Sequence, residues 1–235
     1  MTISAIDESQ RKAARIAGIA YLITFATVVY VNFGIHDFGD NVAETARKIL
    51  ANERLFRIGI VGDLIYCTGI VVLLTALYVI LKPVNSGVAL LAAFLRLVWV
   101  LMWLIMTLNL FDALRLLNGS DYLRAFGTER LQALVKFHLS TRFDYYYVGL
   151  LFGSLASATC GFLWLKSRYI PQALAVFGIV SSAFCVGCTF IFYIFPDFDK
   201  IVNLWWSDTP MGIFDIVLSF WLLFKGLKQP ETGNT

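Results

Sequence analysis

Three ionisable side chains lie deep inside long apolar runs of this chain: Asp63, Arg96 and Asp215. A charge in such company costs about 2.5–3.5 kcal/mol at the centre of a membrane helix on insertion scales, so each needs a physical reason. A buried carboxyl is a ready acid or base, which makes Asp63 and Asp215 the candidate catalytic residues. Arg96 lies roughly 14 Å into its run and Asp215 roughly 15 Å into its own, counted from the same side at about 1.5 Å per residue. The matching depths predict an Arg96–Asp215 pair. Such a pair either fixes bundle register or offers one partner to a ligand or proton.

A second group gathers toward the other side. Arg57 and Asp63 share one run, and Asn109 ends the next. His138, Arg142 and Asp144 precede the fourth. Trp99, Trp103 and Tyr146, with Tyr145 and Tyr147, supply aromatic surface among them. Aromatic walls with a few convergent polar groups make a small-molecule site. These residues, with Arg96 and Asp215, are therefore the candidate ligand-binding set. The competing interpretation is an interfacial aromatic belt with snorkelling charges.

Other chemistry is poorly represented. His138 has no second histidine at ligand spacing, so no metal site is expected. Cys185-x-x-Cys188 lies inside an apolar helix, away from the electropositive helix start that activates a thiol. The four cysteines all fall in apolar runs and read as thiols rather than a disulfide framework. No G-x-S-x-G, P-loop or Rossmann glycine string occurs, and no cofactor is expected. No basic run resembles a nucleic-acid footprint. No inverted repeat or matched pair of broken helices suggests a transporter.

The elements that must position these residues follow from composition. Of 235 residues, 59 % are hydrophobic and 15 % charged, against about 25 % charged in soluble domains. The excess is collected in six runs, at about 13–35, 55–81, 87–111, 145–165, 171–195 and 211–227. Each is near the ~20 residues needed to cross about 30 Å of hydrocarbon. None alternates polar and apolar as barrel strands do, so the spans are helices. The expected fold is all-α: an integral membrane bundle of six transmembrane helices over 13–227. A polar N-terminus at 1–12, frayed in solution, and a tail at 228–235 complete it. The first run is too long for a cleavable signal peptide.

Charge placement predicts orientation. Arg11, Lys12, Arg15, Lys82, Lys166, Arg168, Lys225 and Lys228 share one side, and the turns at 82–86 and 166–170 carry no acid. The positive-inside rule places both termini in the cytoplasm of a cell-membrane protein. The outer loops carry amphipathic patterns. A capping box at Asn41–Glu44 opens a helix with Val42, Ala46, Ile49 and Leu50 on one face. Leu131, Leu134, Val135, His138 and Leu139 form a second apolar face, continuous with the fourth span. Phe198, Ile201, Val202 and Trp205 form a third. Together they predict a lid, or helices resting in the headgroups. Gly149, Gly153, Ser157 and Gly161 place a small residue at every fourth position of the fourth span. That stripe admits a close neighbour, either within the bundle or across a homodimer, and the bundle offers more neighbours.

Several strings resemble an uncharacterised bacterial membrane family, the domain of unknown function, family 4386. They are Arg11-Lys-Ala-Ala-Arg-Ile-Ala-Gly-Ile-Ala-Tyr-Leu22, Leu77-Tyr-Val-Ile-Leu-Lys-Pro-Val84 and Ala92-Ala-Phe-Leu-Arg-Leu97. Gly161-Phe-Leu-Trp-Leu-Lys-Ser-Arg-Tyr-Ile-Pro171 and Phe220-Trp-Leu-Leu-Phe-Lys-Gly-Leu227 look like its later motifs. The resemblance implies a multi-pass fold and brings no activity. It also implies a Glu at the start of the sixth span, where this chain has the shorter Asp215.

Three functions compete. The first is binding of a lipophilic or amphipathic small molecule in an outer-leaflet pocket. The second is an intramembrane enzyme using Asp63 or Asp215 on a hydrophobic, isoprenoid- or lipid-like substrate. The third is a scaffold or accessory subunit docking through the glycine stripe.

Overall fold

The computed structural model describes residues 6–35, 42–118, 127–195, 197–198, 201–202 and 205–229. Among them the regular structure is α-helical. It comprises α1 (Glu8–Gly34), α2 (Val42–Ala51), α3 (Glu53–Leu81), α4 (Ser86–Leu117), α5 (Thr128–Ser140), α6 (Arg142–Ser167), α7 (Gln172–Ile194) and α8 (Trp205–Phe224). Six helical segments are long and apolar enough to cross a membrane: α1, α3, α4, α7, α8 and the run formed by α5 with α6. Their outward faces carry exposed Ile16, Phe94, Leu108 and Val180, while Asp63, Arg96, Ser154 and Thr189 are buried inside. Apolar side chains outside and polar ones inside suit a molecule whose solvent is lipid. The protein is a multi-pass integral membrane protein.

The six segments close into a ring. α1 packs on α3, α3 on α4, α4 on α6, α6 on α7, α7 on α8, and α8 returns to α1. Buried Tyr66, Trp99, Trp103, Cys185, Phe214 and Leu218 belong to the continuous core of this ring. Small residues set the spacing. A Cβ on Gly69 of α3 would meet Thr24 of α1 at 2.5 Å, and one on Gly178 of α7 would meet the Phe214 ring of α8 at 2.6 Å. Bare backbone at these points lets neighbouring helices approach closely.

One end of the ring carries both termini and is latched. Residues 8–12, expected to fray, are the first turns of α1. The Asp7 carboxylate accepts from the Gln10 backbone N–H at 2.7 Å, and the Gln10 side-chain Oε1 accepts from the Asp7 backbone N–H at 3.2 Å. This reciprocal cap satisfies orphan donors. The Gln10 amide then donates across the bundle to the Ile80 carbonyl at 3.0 Å and the Tyr169 hydroxyl at 3.3 Å. Tyr169 follows the left-handed Arg168 (φ 56°) that ends α6, and its carbonyl accepts from Lys228 N–H at 2.8 Å.

The opposite end is covered by α2 and α5. α2 packs on α5, and α5 on α4 and α6. Ile49, Phe56, Ile60, Leu110 and Leu114 form a small core there, separate from that of the ring, with Leu139 against it. The amphipathic patterns are thus realised as packed helices, with Ala46, Ile49 and Val135 buried. Leu50 and Leu134 of the expected faces are exposed. Asn41 of the expected capping box lies outside the described residues. α5 and α6 are nearly one helix, broken at Thr141. There the Ser140 and Thr141 hydroxyls both donate to the Phe137 carbonyl, at 3.0 and 3.1 Å, and such back-bonding bends helices. The third amphipathic segment does not form a separate helix in the described residues. Phe198, Ile201 and Val202 lie in turns, and α8 already begins at Trp205.

Candidate functional site

The ring holds a column of polar and aromatic side chains. Each is aimed inward because the other face of its helix is apolar and meets lipid. Under the lid lies a polar layer. Asp63 of α3 is 2 % exposed, and its carboxylate accepts from the Trp103 indole at 3.1 Å. Arg142, at the start of α6, is also buried, and its charge acts on Asp63. The Asn109 carbonyl oxygen and His138 Nδ1 lie 2.8 Å apart, while the Asn109 amide donates to the Ile105 carbonyl at 2.9 Å. Tyr146 donates its hydroxyl to Asp208 of α8.

An aromatic layer follows. The Trp103 ring is 4.3 Å from Tyr66, 5.3 Å from Trp99 and 6.0 Å from Tyr146, measured between centroids. Trp99 and Tyr146 meet edge-on at 5.7 Å. The Trp99 indole donates to the Tyr66 hydroxyl at 3.0 Å. Edge-to-face contacts of this kind are favourable for aromatic quadrupoles. The rings pack directly against one another here.

Deeper still sits Arg96, 6 % exposed. Its Nη2 donates to the Ser157 hydroxyl of α6 at 3.1 Å, and the Tyr21 hydroxyl and Cys160 thiol face the same guanidinium. Asp215 of α8 is near enough for its charge to act on Arg96, but the two make no direct ion pair. Oδ1 of Asp215 is sealed from solvent without a hydrogen-bond partner. The expected contact fails because α4 and α8 lie across the ring from one another. Asp215 stays within electrostatic reach, but Tyr21, Ser157 and Cys160 take the guanidinium instead. A cavity of about 10 Å³ beside Arg96 and Cys160, walled by α3 and α4, is near the size of a single water.

Two expected members stand elsewhere. Arg57 faces outward and pairs with Glu53 one turn away at 2.7 Å. Asp144 is exposed, and only its backbone carbonyl takes part, accepting from the Tyr193 hydroxyl at 3.2 Å. Asp63, Asn109, His138, Tyr146, Trp99 and Trp103 are brought together, and Arg96 with Asp215 forms the deeper group. Sequence reasoning missed Asp208, and it missed Tyr21, Ser157 and Cys160 as partners of Arg96. A signal existed for the last two: Ser157 and Cys160 stand three apart on one face of an otherwise apolar span.

The small-residue stripe is consumed inside the ring. A Cβ on Gly149 would meet Trp99 at 2.8 Å, and one on Gly153 would meet it at 3.3 Å. Ser157 holds Arg96, and Gly161 faces Ile179 of α7. The stripe seats the Trp99 ring between α4 and α6.

Six membrane-spanning helices closed around a buried polar and aromatic column define an integral membrane protein with an elaborated interior. The chain belongs to the family described as Domain of unknown function (DUF4386), whose model matches residues 16–226. Comparison with curated proteins and with solved structures gives no match.

Proposed function

We propose that the protein binds a lipophilic or amphipathic small molecule beneath the α2–α5 lid, as a sensor, carrier or accessory factor rather than as an enzyme. One observation carries this reading. Polar groups from four membrane-spanning segments converge under the lid: Asp63, Asn109 with His138, Arg142, and Tyr146 with Asp208. The aromatic layer forms the floor of that group. Burying so many polar groups at membrane depth is costly, and such residues commonly mark ligand pathways. The rings are packed, so binding requires the lid to move and the rings to part. Ile49 of the lid packs on Phe56 and Ile60 of α3 and Leu110 and Leu114 of α4, a small core separate from the main one, so lid movement would be felt at the ends of these two spans. The charge bias of the turns supports cytoplasmic termini and a lid on the outer side.

The enzyme reading draws on a different observation, the sealed Asp215 Oδ1 without a partner, poised as an acid or base. Native mass spectrometry of protein purified from its own membranes separates the two. Binding predicts a discrete small-molecule adduct that Asp63→Asn loses and Asp215→Asn keeps. A bare wild-type spectrum overturns it. Turnover of a membrane lipid that stops in Asp215→Asn replaces it with the enzyme.

A further inference from the structure

A groove of about 470 Å³ runs along the hydrocarbon-facing surface between α1 and α3. Ile16, Ile19 and Ile23 line its α1 side, and Ile65, Thr68 and Val72 its α3 side. Small Ala20 and Gly69 leave the hollow between the two helices. The hydroxyl of Thr68 is already spent on the Leu64 carbonyl at 2.9 Å, so the groove offers no free polar group along its length. It is shaped for a hydrocarbon chain.

The end of this groove nearest the termini is basic. Lys12, Ile16, Ile19 and Ile23 fall at i, i+4, i+7 and i+11, one continuous stripe of α1. Arg15 stands one turn before Ile19, and Lys82 follows α3 five turns beyond Leu64 of the groove wall, its ammonium 6.0 Å from the Tyr78 ring centroid. All three are exposed. Glu8 balances Lys12 at 2.7 Å, while Arg15 and Lys82 have no acidic partner among the described residues. Net positive charge therefore stands beyond one end of an apolar slot.

We propose that this groove is a site for an anionic phospholipid of the leaflet on the termini side. One acyl chain lies between α1 and α3, and the phosphate is held by Lys12, Arg15 and Lys82. The site is distinct from the polar column inside the ring, and its occupant is a lipid of the bilayer itself. Basic residues at this level attract anionic headgroups through the surface field.

The test offers purified protein equal amounts of phosphatidylglycerol and phosphatidylcholine with identical chains, and reads bound lipid by native mass spectrometry. Wild type should favour phosphatidylglycerol about tenfold, a ratio set by the field of a few basic side chains. Lys12→Gln with Arg15→Gln and Lys82→Gln should bring the two lipids to parity. Thr68→Phe, which fills the slot, should lower retention of both. Equal retention by wild type overturns the proposal, and so does a preference that survives the triple replacement. A wild-type dimer that Thr68→Phe dissociates, without lipid preference, assigns the groove to a second copy instead. Should the triple variant fail to fold, the wild-type ratio decides alone.

Discussion

Trp99 and Trp103 each bury a large ring and must still place an indole N–H. Tyr66 accepts from the first and Asp63 from the second. Both acceptors belong to α3, one turn apart, so two tryptophans of α4 are tied to a single neighbouring helix. An unpaired buried donor costs about 1–3 kcal/mol, more than the net worth of most hydrogen bonds. Tyr66→Phe should therefore destabilise the protein by about that amount, because it strands the Trp99 N–H without removing the ring. In a double-mutant cycle with Trp99→Phe, unfolding in detergent should give a coupling of about 1 kcal/mol. Additive losses would mean that the indole finds another acceptor. The presence of Asp63, Trp99 and Trp103 at membrane depth was legible in sequence. Their partners were not, since a donor three turns along one helix says nothing of which helix supplies the acceptor.

At the level of the element, α6 illustrates how a pattern can be correct and its use open. Gly149, Gly153, Ser157 and Gly161 predict a close neighbour, and the neighbours are the Trp99 ring and α7. Gly149→Ala should cost about 1–3 kcal/mol, because the new Cβ meets Trp99 and Met102 in a packed interior. Gly187→Ala on α7 is the matched control, since nothing lies within 4 Å of its added carbon. It should be neutral or stabilising by up to about 1 kcal/mol from helix propensity alone. Thermal unfolding of the two variants side by side decides this. Equal effects would show that the stripe is not a packing contact. The amphipathic segments followed the same logic. α2 and α5 have an apolar face and a place to put it, whereas the segment before α8 has a pattern but lies in turns.

For the whole molecule, ring closure is the decisive event. α1 and α8 are far apart in sequence and adjacent in the bundle, with Gly18 of α1 against the Ser219 carbonyl and Leu223 of α8. Closure turns Asp63, Arg96, Asn109, Ser154 and Thr189 inward and leaves large apolar side chains such as Phe94, Leu108 and Val180 to lipid. The even number of crossings, together with the Gln10–Tyr169–Lys228 latch, puts both termini at one end. The basic turns predict that this end is cytoplasmic. Reporters fused at the C-terminus and in the 82–86 turn should be active only in the cytosol. A reporter in the loop between α1 and α2 should be active only outside. The reverse pattern would invert the proposed orientation and with it the leaflet that the lid faces.

Hydropathy and length by themselves determined that this chain crosses a membrane six times as α-helices. Lipid offers no hydrogen bonds, so backbone satisfaction is settled locally, residue by residue along each span. Rise per residue is constant, so position along each span can be counted from the sequence. Azimuth cannot. Arg96 and Asp215 were placed at one level, yet only the order of helices around the ring put them on opposite sides and gave the guanidinium to Ser157, Tyr21 and Cys160. Arg57 and Asp144 are set apart for the same reason, since each points away from the polar layer. Which neighbour a side chain meets depends on how six helices pack sideways, and contacts between distant segments leave no local trace in the chain.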